Sequence, residues 1–150
     1  MDEFDENAIH CEMYLHLLWS TKNQQPVIPT SVTQNLYLYI YDLALSQECH
    51  LVGGQVFSDH IQLVIKFSPD IAMSDMITTL KVATLLWIRT NIPEMSNFEW
   101  QKSDFAFSVS FEEVGALIAK IKNSKSFLEE IHSVLDENIS IESDLSEVLE

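Results

Sequence analysis

The sequence predicts an α+β domain of the ferredoxin-like type, a split βαβ sandwich in which helices pack on one antiparallel sheet. The predicted element order along the 150 residues is β-α-β-β-α-β-α. Only Phe57-Ser58-Asp59 separates the second and third strands, which is too short for the crossover that a parallel pair needs. A hydrophobic fraction of 47%, with 3 Gly and 4 Pro, suits one compact core. We therefore expect a single domain with helices on one face of the sheet.

Hydrophobic periodicity places the elements in order. Alternating or continuously apolar segments predict strands at residues 9–20, 50–56, 60–67 and within 98–110. Apolar residues at helical spacing predict helices at about 30–47, 74–90, 111–123 and 126–135. Gly53-Gly54 indicates a bulge or a close backbone approach in the second strand. Helix caps are expected at hydroxyl side chains, namely Thr30 or Ser31, Ser74, and Ser110 with Glu113 as its capping-box partner.

The formal net charge of −15 is concentrated at the two ends. Residues 9–128 hold eleven acidic and all eight basic residues, a net charge of −3, and the other twelve acidic residues flank them. We therefore divide the chain into an acidic N-terminal extension (1–8), a folded domain (9–125), and a short helix with an acidic tail (126–150). Nucleic-acid binders normally carry a basic excess, which is absent here. The tail is interpreted as a solubility device or, alternatively, as a mimic of phosphate.

Cysteine usage and hydropathy indicate a cytoplasmic protein. Cys11 and Cys49 lack metal-ligand spacing and are expected to be reduced. No apolar run reaches the ~18 residues of a membrane span. The first six residues are acidic, where a signal peptide would be basic and then apolar.

The segment Asp59-His60-Ile61-Gln62 carries the most chemistry. On a strand, His60 and Gln62 point to the same face. A histidine at position 62 would complete a two-nitrogen metal site, whereas glutamine is a poor ligand for a divalent ion. His16 on the first strand could approach and, with His60 and Gln62, form a weak site for a divalent metal such as Zn²⁺. The alternative is that His60 is a hydrogen-bonded structural histidine, and we expect no cofactor.

These residues belong to a wider resemblance. The chain resembles the HUH single-tyrosine transposases of small bacterial insertion sequences and their REP-associated relatives. The similar segments are Tyr14 to Lys22, Pro26-Val27-Ile28, Asp59 to Leu63, Ser74 to Ile77 with Lys81, Phe98 to Gln101, and Phe105 to Ser110. They span roughly residues 14–123 in the family's order.

The resemblance implies that the catalytic positions have degenerated. In that family two strand histidines and a helix glutamine hold a divalent cation, and a tyrosine attacks the DNA phosphate. Here the histidine positions are His60 and Gln62, the tyrosine position is Lys120 and the third ligand position is Ser124. The four tyrosines all lie at or before residue 41, and an amine that is mostly protonated at neutral pH does not replace one.

The resemblance implies a catalytically inactive, homodimeric protein that binds structured single-stranded DNA or RNA, and no membrane. The first strand would also leave an exposed edge in a monomer. The expected phosphate contacts are four lysines, Lys81, Lys120, Lys122 and Lys125, although a solvated helix face paired with glutamates explains the last three equally well. If a basic surface survives, removing residues 137–150 should strengthen binding at low salt. The alternatives are an acidic protein-interaction module and a remnant metal-dependent nuclease.

Overall fold

A computed structural model describes residues 11–136 and confirms the ferredoxin-like fold. The strands are β1 (Met13–Ser20), β2 (His50–Val56), β3 (His60–Phe67) and β4 (Phe105–Val109). The helices are α1 (Thr30–Ser46), α2 (Met73–Asn91), α3 (Val114–Ile121) and α4 (Phe127–Asp136). Short 3₁₀ turns occupy Lys22–Gln24, Pro93–Met95 and Phe111–Glu113. The predicted acidic extension and the tail beyond residue 136 lie outside the described residues.

The sheet has the order β2-β3-β1-β4, and every pairing is antiparallel. Consequently β1 is a central strand, held by β3 on one side and β4 on the other. The expectation that β1 is an exposed edge is therefore wrong, because its partner strands come from distant parts of the chain. The edges are β2 and β4. The predicted bulge in β2 is confirmed by a register shift between Leu51 and Gly53.

The helices cover both faces of the sheet rather than the one face that we expected. Residues of α1 and α2 pack on one face with Leu17, Trp19 and Leu63, and they form the main core. The opposite face, which we call the site face, carries a second apolar cluster of Leu18, Phe127, Ile131 and Leu135, with Phe105 and Phe107 packed against it. Because α4 supplies three of those four buried side chains, each worth about 1.5–3 kcal/mol when buried, the site face is firmly covered.

Several helix boundaries differ from the predictions. α1 and α2 begin after Pro29 and Ala72, and neither start has a side-chain cap, so the expected caps at Thr30, Ser31 and Ser74 are wrong. A proline fixes its own φ and can precede a helix without a hydroxyl cap. The predicted helix 111–123 is a 3₁₀ turn followed by α3, and Ser110 contacts the carboxylate of Glu113 rather than a backbone N–H. The first strand begins at Met13, although its prediction began at Ile9.

Candidate functional site

The sheet pairing brings the residues singled out from the sequence together on the site face. β1 and β3 pair so that Ser20 faces His60 and Leu18 faces Gln62. His16 lies two residues before Leu18 on β1, and its side chain contacts that of Gln62 on β3. His60 and Gln62 have no exposed surface, and His16 is 3% exposed. The two strands therefore build a buried polar site with three predicted members.

Four side chains of this site form one continuous hydrogen-bonded chain, which we call the polar chain: Asp59, His60, Gln62 and His16. The Asp59 Oδ1 atom accepts the Nδ1–H of His60 at 2.6 Å. This leaves His60 Nε2 as an acceptor, and Gln62 Nε2 donates to it at 3.1 Å. Gln62 Oε1 then accepts the Nε2–H of His16 at 2.9 Å. In this arrangement every donor points the same way along the chain, toward Asp59.

Aromatic rings enclose the polar chain. The Phe57 ring stacks on His60, with centroids 4.4 Å apart and an interplanar angle of 6°. The Phe127 ring, at the start of α4, lies against the His60 ring with their centroids 5.6 Å apart. The Phe127 backbone N–H donates to Asp59 Oδ2 at 3.0 Å, which satisfies the second carboxylate oxygen. The site is thus closed by residues on both sides, and these polar atoms hydrogen-bond to one another and to the Phe127 backbone.

The polar chain as placed does not present free metal ligands. Nε2 of His60 and Nε2 of His16 lie within hydrogen-bond distance of the Gln62 amide, at 3.1 and 2.9 Å. Because a metal-bound histidine must present a free lone pair, a divalent ion would have to break both hydrogen bonds. Across residues 11–136 no group of three or more His, Cys, Asp and Glu side chains is placed to hold a metal. The Gln62 amide joins the two histidines instead.

The surroundings of His16 favour the uncharged form of its imidazole. The pKa of His16 is lowered, chiefly by burial and also by the nearby Lys120 and His60. The Gln62 hydrogen bond and the Glu130 carboxylate raise it, but they do not outweigh burial. Burial raises the pKa of Asp59, but the hydrogen bonds from His60 and the Phe127 N–H outweigh that effect, so its pKa is lowered overall. The Asp59 carboxylate therefore remains ionised and anchors the chain.

A pH dependence of stability follows from His16. Since the folded state disfavours protonated His16 while the unfolded chain takes up a proton near pH 6.5, stability should fall as the pH drops below about 6.5. We expect Tm to decrease between pH 7 and pH 5 in the native chain. The His16→Asn variant should lose part of that slope, whereas His50→Asn, which changes an exposed histidine on β2, should keep all of it. Equal slopes in all three proteins, measured by thermal unfolding, would contradict this assignment.

The remaining predicted site residues lie at different places. Lys120 lines a cleft of about 290 Å³ together with His16, Glu113 and Glu130. Lys122 follows it just past α3, where its side chain is exposed.

Lys125 is also exposed, between α3 and α4. The Ser124 Oγ atom is buried and has no hydrogen-bond partner in the described part of the chain. Lys81 lies apart from these residues on α2, where its ammonium contacts the Gln101 carbonyl oxygen at 2.8 Å and the Asp104 carboxylate. The structure thus groups three of the four lysines and separates Lys81 from them.

Two further residues of the site, Phe57 and Phe127, were not assigned a role from the sequence. Asp59 was already part of the motif, and an acid next to a histidine is a recognisable orienting partner. Phe57 begins the turn between β2 and β3, and its sequence position gave no signal of its stacking role. Phe127 contacts Asp59 from 68 positions further along the chain, and no local pattern reports such a contact.

The fold and the polar chain together describe a ferredoxin-like α+β domain with a buried histidine site on its sheet. Residues 10–124 match the family described as "Transposase IS200 like". The match covers well over half of the chain, which therefore belongs to the IS200-like transposase family. Within residues 11–136 no helix has the length and apolar character to cross a membrane.

Individual relatives are distant in sequence. The chain is 24% identical to the ISDra2 transposase TnpA of Deinococcus radiodurans over 89 residues, which covers 59% of this chain and 64% of that protein. It thus spans slightly less than two thirds of the relative's length. A candidate transposase from Deinococcus radiodurans superposes with a TM-score of 0.66 at 21% identity, over 83% of this chain and 99% of that one.

A second solved structure shares the fold more loosely. A REP-associated tyrosine transposase bound to a REP hairpin gives a TM-score of 0.53 at 13% identity, covering 81% of this chain and 70% of that one. At such identities the superpositions support the fold alone.

Proposed function

We propose that this protein is a catalytically inactive member of its family that binds structured single-stranded nucleic acid as a homodimer. The observation that carries the proposal is the polar chain. Gln62 stands at the position where the resemblance implies a second metal-binding histidine, and its amide hydrogen-bonds to both His16 and His60. The expected loss of the nucleophile supports it, because Lys120 falls on the tyrosine position that the resemblance implies and no tyrosine of the sequence lies beyond Tyr41. Strand cleavage through a phosphotyrosine intermediate is not available to such a chain.

The binding surface that we propose is the end of α3 and the turn that follows it. Lys122 and Lys125 are exposed there, beside the cleft that contains Lys120. A family relationship to proteins that act on DNA, and a structural neighbour bound to a REP hairpin, favour nucleic acid as the ligand. Since the chain has a net charge of −15, we expect binding to be weak and to weaken further with salt.

The proposed dimer would use the β4 edge. This strand is short and half-buried, and its outer side pairs with no other strand in residues 11–136. Phe111, just past its end, is 63% exposed, and its ring lies 6.0 Å from that of Tyr14. An open edge beside an exposed aromatic residue is a natural place for a second copy to pair.

A hairpin-binding experiment tests the function. Fluorescent single-stranded DNA and RNA hairpins are titrated with the native chain at low and moderate salt. The Lys122→Glu/Lys125→Glu variant should lose about tenfold or more in affinity at low salt. The control is Lys22→Glu/Lys102→Glu, which changes the net charge equally at exposed lysines elsewhere. No binding by the native chain at low salt, or equal loss in both variants, would refute the proposed surface.

The same samples test inactivity. After incubation with Mg²⁺ or Mn²⁺, a denaturing gel should show neither cleaved strand nor protein–DNA adduct. An adduct mapped to Lys120, or metal-dependent cleavage, would favour the remnant nuclease instead.

A protein-interaction role is the second candidate, favoured by one feature. Between α1 and α2 an uncharged groove of about 660 Å³ is lined largely by apolar groups, including Tyr39, Leu86 and Trp87. Leu86 is 55% exposed although it is a large apolar residue. If the native chain ignores all hairpins while remaining folded, this candidate replaces nucleic-acid binding.

A further inference from the structure

A nearly buried carboxylate without a partner lines the cleft beside His16. Glu130, in the first turn of α4, is only 7% exposed, and within residues 11–136 its side chain accepts no hydrogen bond and joins no ion pair. Its oxygens are not among the fully enclosed unpaired atoms of this part of the chain, so they are reached from the cleft. Burying a charge without a counter-charge or a hydrogen-bond donor is costly, so such a group calls for an explanation.

The other polar groups of the cleft do not supply a partner for this carboxylate. His16 has its Nε2 atom engaged in the polar chain. Glu113 is a second acid and adds charge of the same sign. Among the described residues that line the cleft, Lys120 is the only basic one, and no ion pair joins it to Glu130. Two carboxylates against one ammonium group leave the cleft with an excess of negative charge, so a cation fits it better than an anion.

The lining of the cleft suits a small organic cation better than a metal ion. The cleft has a volume of about 290 Å³, and Phe107, Leu117 and Val134 provide apolar walls beside the carboxylates. A metal ion needs several donor atoms at fixed distances, and in the described part of the chain no group of three or more His, Cys, Asp and Glu side chains could hold one. A short alkyl chain that ends in an ammonium group matches both the apolar walls and the carboxylate.

We propose that this cleft binds a small aliphatic amine, whose ammonium group pairs with Glu130 and whose methylene groups pack against Phe107 and Leu117. In a diamine the second ammonium group would lie near the exposed carboxylate of Glu113. The inference does not rest on the hairpin binding proposed above. It needs only the folded cleft and Glu130, whereas the hairpin surface consists of exposed lysines after α3.

Titration of the native chain with diaminobutane at constant pH tests the site. Histidine side-chain NMR signals report where the ligand binds, because His16 lines the cleft and His50 is exposed on β2. The His16 signal should shift saturably, with a Kd on the order of 1 mM for so small a ligand, and the His50 signal should not shift. Butanol and butanoate, which carry a neutral and an anionic group instead of the ammonium, should bind at least about tenfold more weakly. No saturable shift with diaminobutane, or an equal response to butanol or butanoate, would refute the proposal.

The Glu130→Gln variant removes the charge and keeps the shape of the side chain, and Glu129→Gln is its matched control. Both acids lie in the first turn of α4, so the two variants lose the same charge and the same interaction with the helix dipole, but Glu129 is exposed. Glu130→Gln should weaken diaminobutane binding at least about tenfold, whereas Glu129→Gln should stay within about twofold of the native chain. Equal affinities in the two variants would overturn the proposal.

Thermal unfolding without any ligand provides an independent measurement. Since Glu130→Gln removes a buried charge that has no counter-charge, it should have a higher Tm than Glu129→Gln. Fluorescence of Trp19 and Trp100, which lie in the main core, shows whether both variants are folded. A lower Tm for Glu130→Gln would mean that the chain already compensates this carboxylate, and the proposal would be wrong. A His16 shift on addition of MgCl₂ that depends on Glu130 would assign the cleft to a metal ion and would also overturn it.

Discussion

The Gly54→Ala variant should be destabilised by on the order of 4 kcal/mol, from two costs of about 1–3 kcal/mol each. Gly54 has a φ of +136°, which residues with a Cβ rarely adopt. A Cβ there would also collide with the Gln62 carbonyl oxygen and lie 2.9 Å from the Leu63 Cα atom. Both are backbone atoms of β3, so neither can rotate away. Chemical denaturation should show a midpoint shift without a change in slope.

Two other glycines provide controls. At Gly53 the three atoms nearest an added Cβ all belong to the Ile118 side chain, starting at 2.5 Å, so that cost should be smaller because a side chain can move. Gly115 in α3 has nothing within 4 Å of the added atom, and Gly115→Ala should stabilise by about 0.5–1 kcal/mol. If Gly54→Ala were as stable as the native chain, the close approach of β2 to β3 at Gly54 would be absent in solution.

The Gln62→Leu variant should lose about 2–5 kcal/mol even though leucine fills a similar volume. Removing the amide leaves a buried donor, His16 Nε2–H, and a buried acceptor, His60 Nε2, without their partners. Each unsatisfied buried group costs about 1–3 kcal/mol. Equilibrium unfolding in urea at pH 7.5 measures the loss, and the pH dependence ascribed to His16 should change at the same time because its hydrogen bond is gone.

Gln55→Leu is the matched control for this change. Gln55 lies directly opposite Gln62 on β2 but is only partly buried, so the same substitution should alter stability by about 0.5 kcal/mol or less. A Gln62→Leu protein within that same range would show that the polar chain contributes little. The function proposed here would then lose the observation that carries it.

The local features of the fold could be predicted from the sequence. The bounds of β2 and β3, the turn at Phe57-Ser58-Asp59 and the bulge at Gly53 all follow from side-chain alternation and glycine, and the structure has them. Features that depend on pairing between distant segments could not be predicted in the same way. The central position of β1 and the placement of α3 and α4 on the second face are of this kind.

The same distinction applies to the candidate site, since local spacing predicts part of it and pairing between distant segments determines the rest. That His60 and Gln62 share a face follows from their spacing of two on a strand. That His16 joins them depends on the register of β1 against β3, in which Leu18 faces Gln62. The roles of Phe57 and Phe127 had no local signal, because a ring that stacks on a histidine looks like any other core aromatic residue in a sequence.

The one-way polarity of the polar chain also bears on how such a protein would change over time. Glutamine at position 62 bridges the two histidines through both atoms of its amide. Under the inactivity proposed above, a Gln62→His change would break that bridge while Lys120 and Ser124 still stood at the other two positions that the resemblance assigns to catalysis. Such a change would therefore lower stability without supplying the missing groups, so the proposed loss of activity would be hard to reverse one residue at a time.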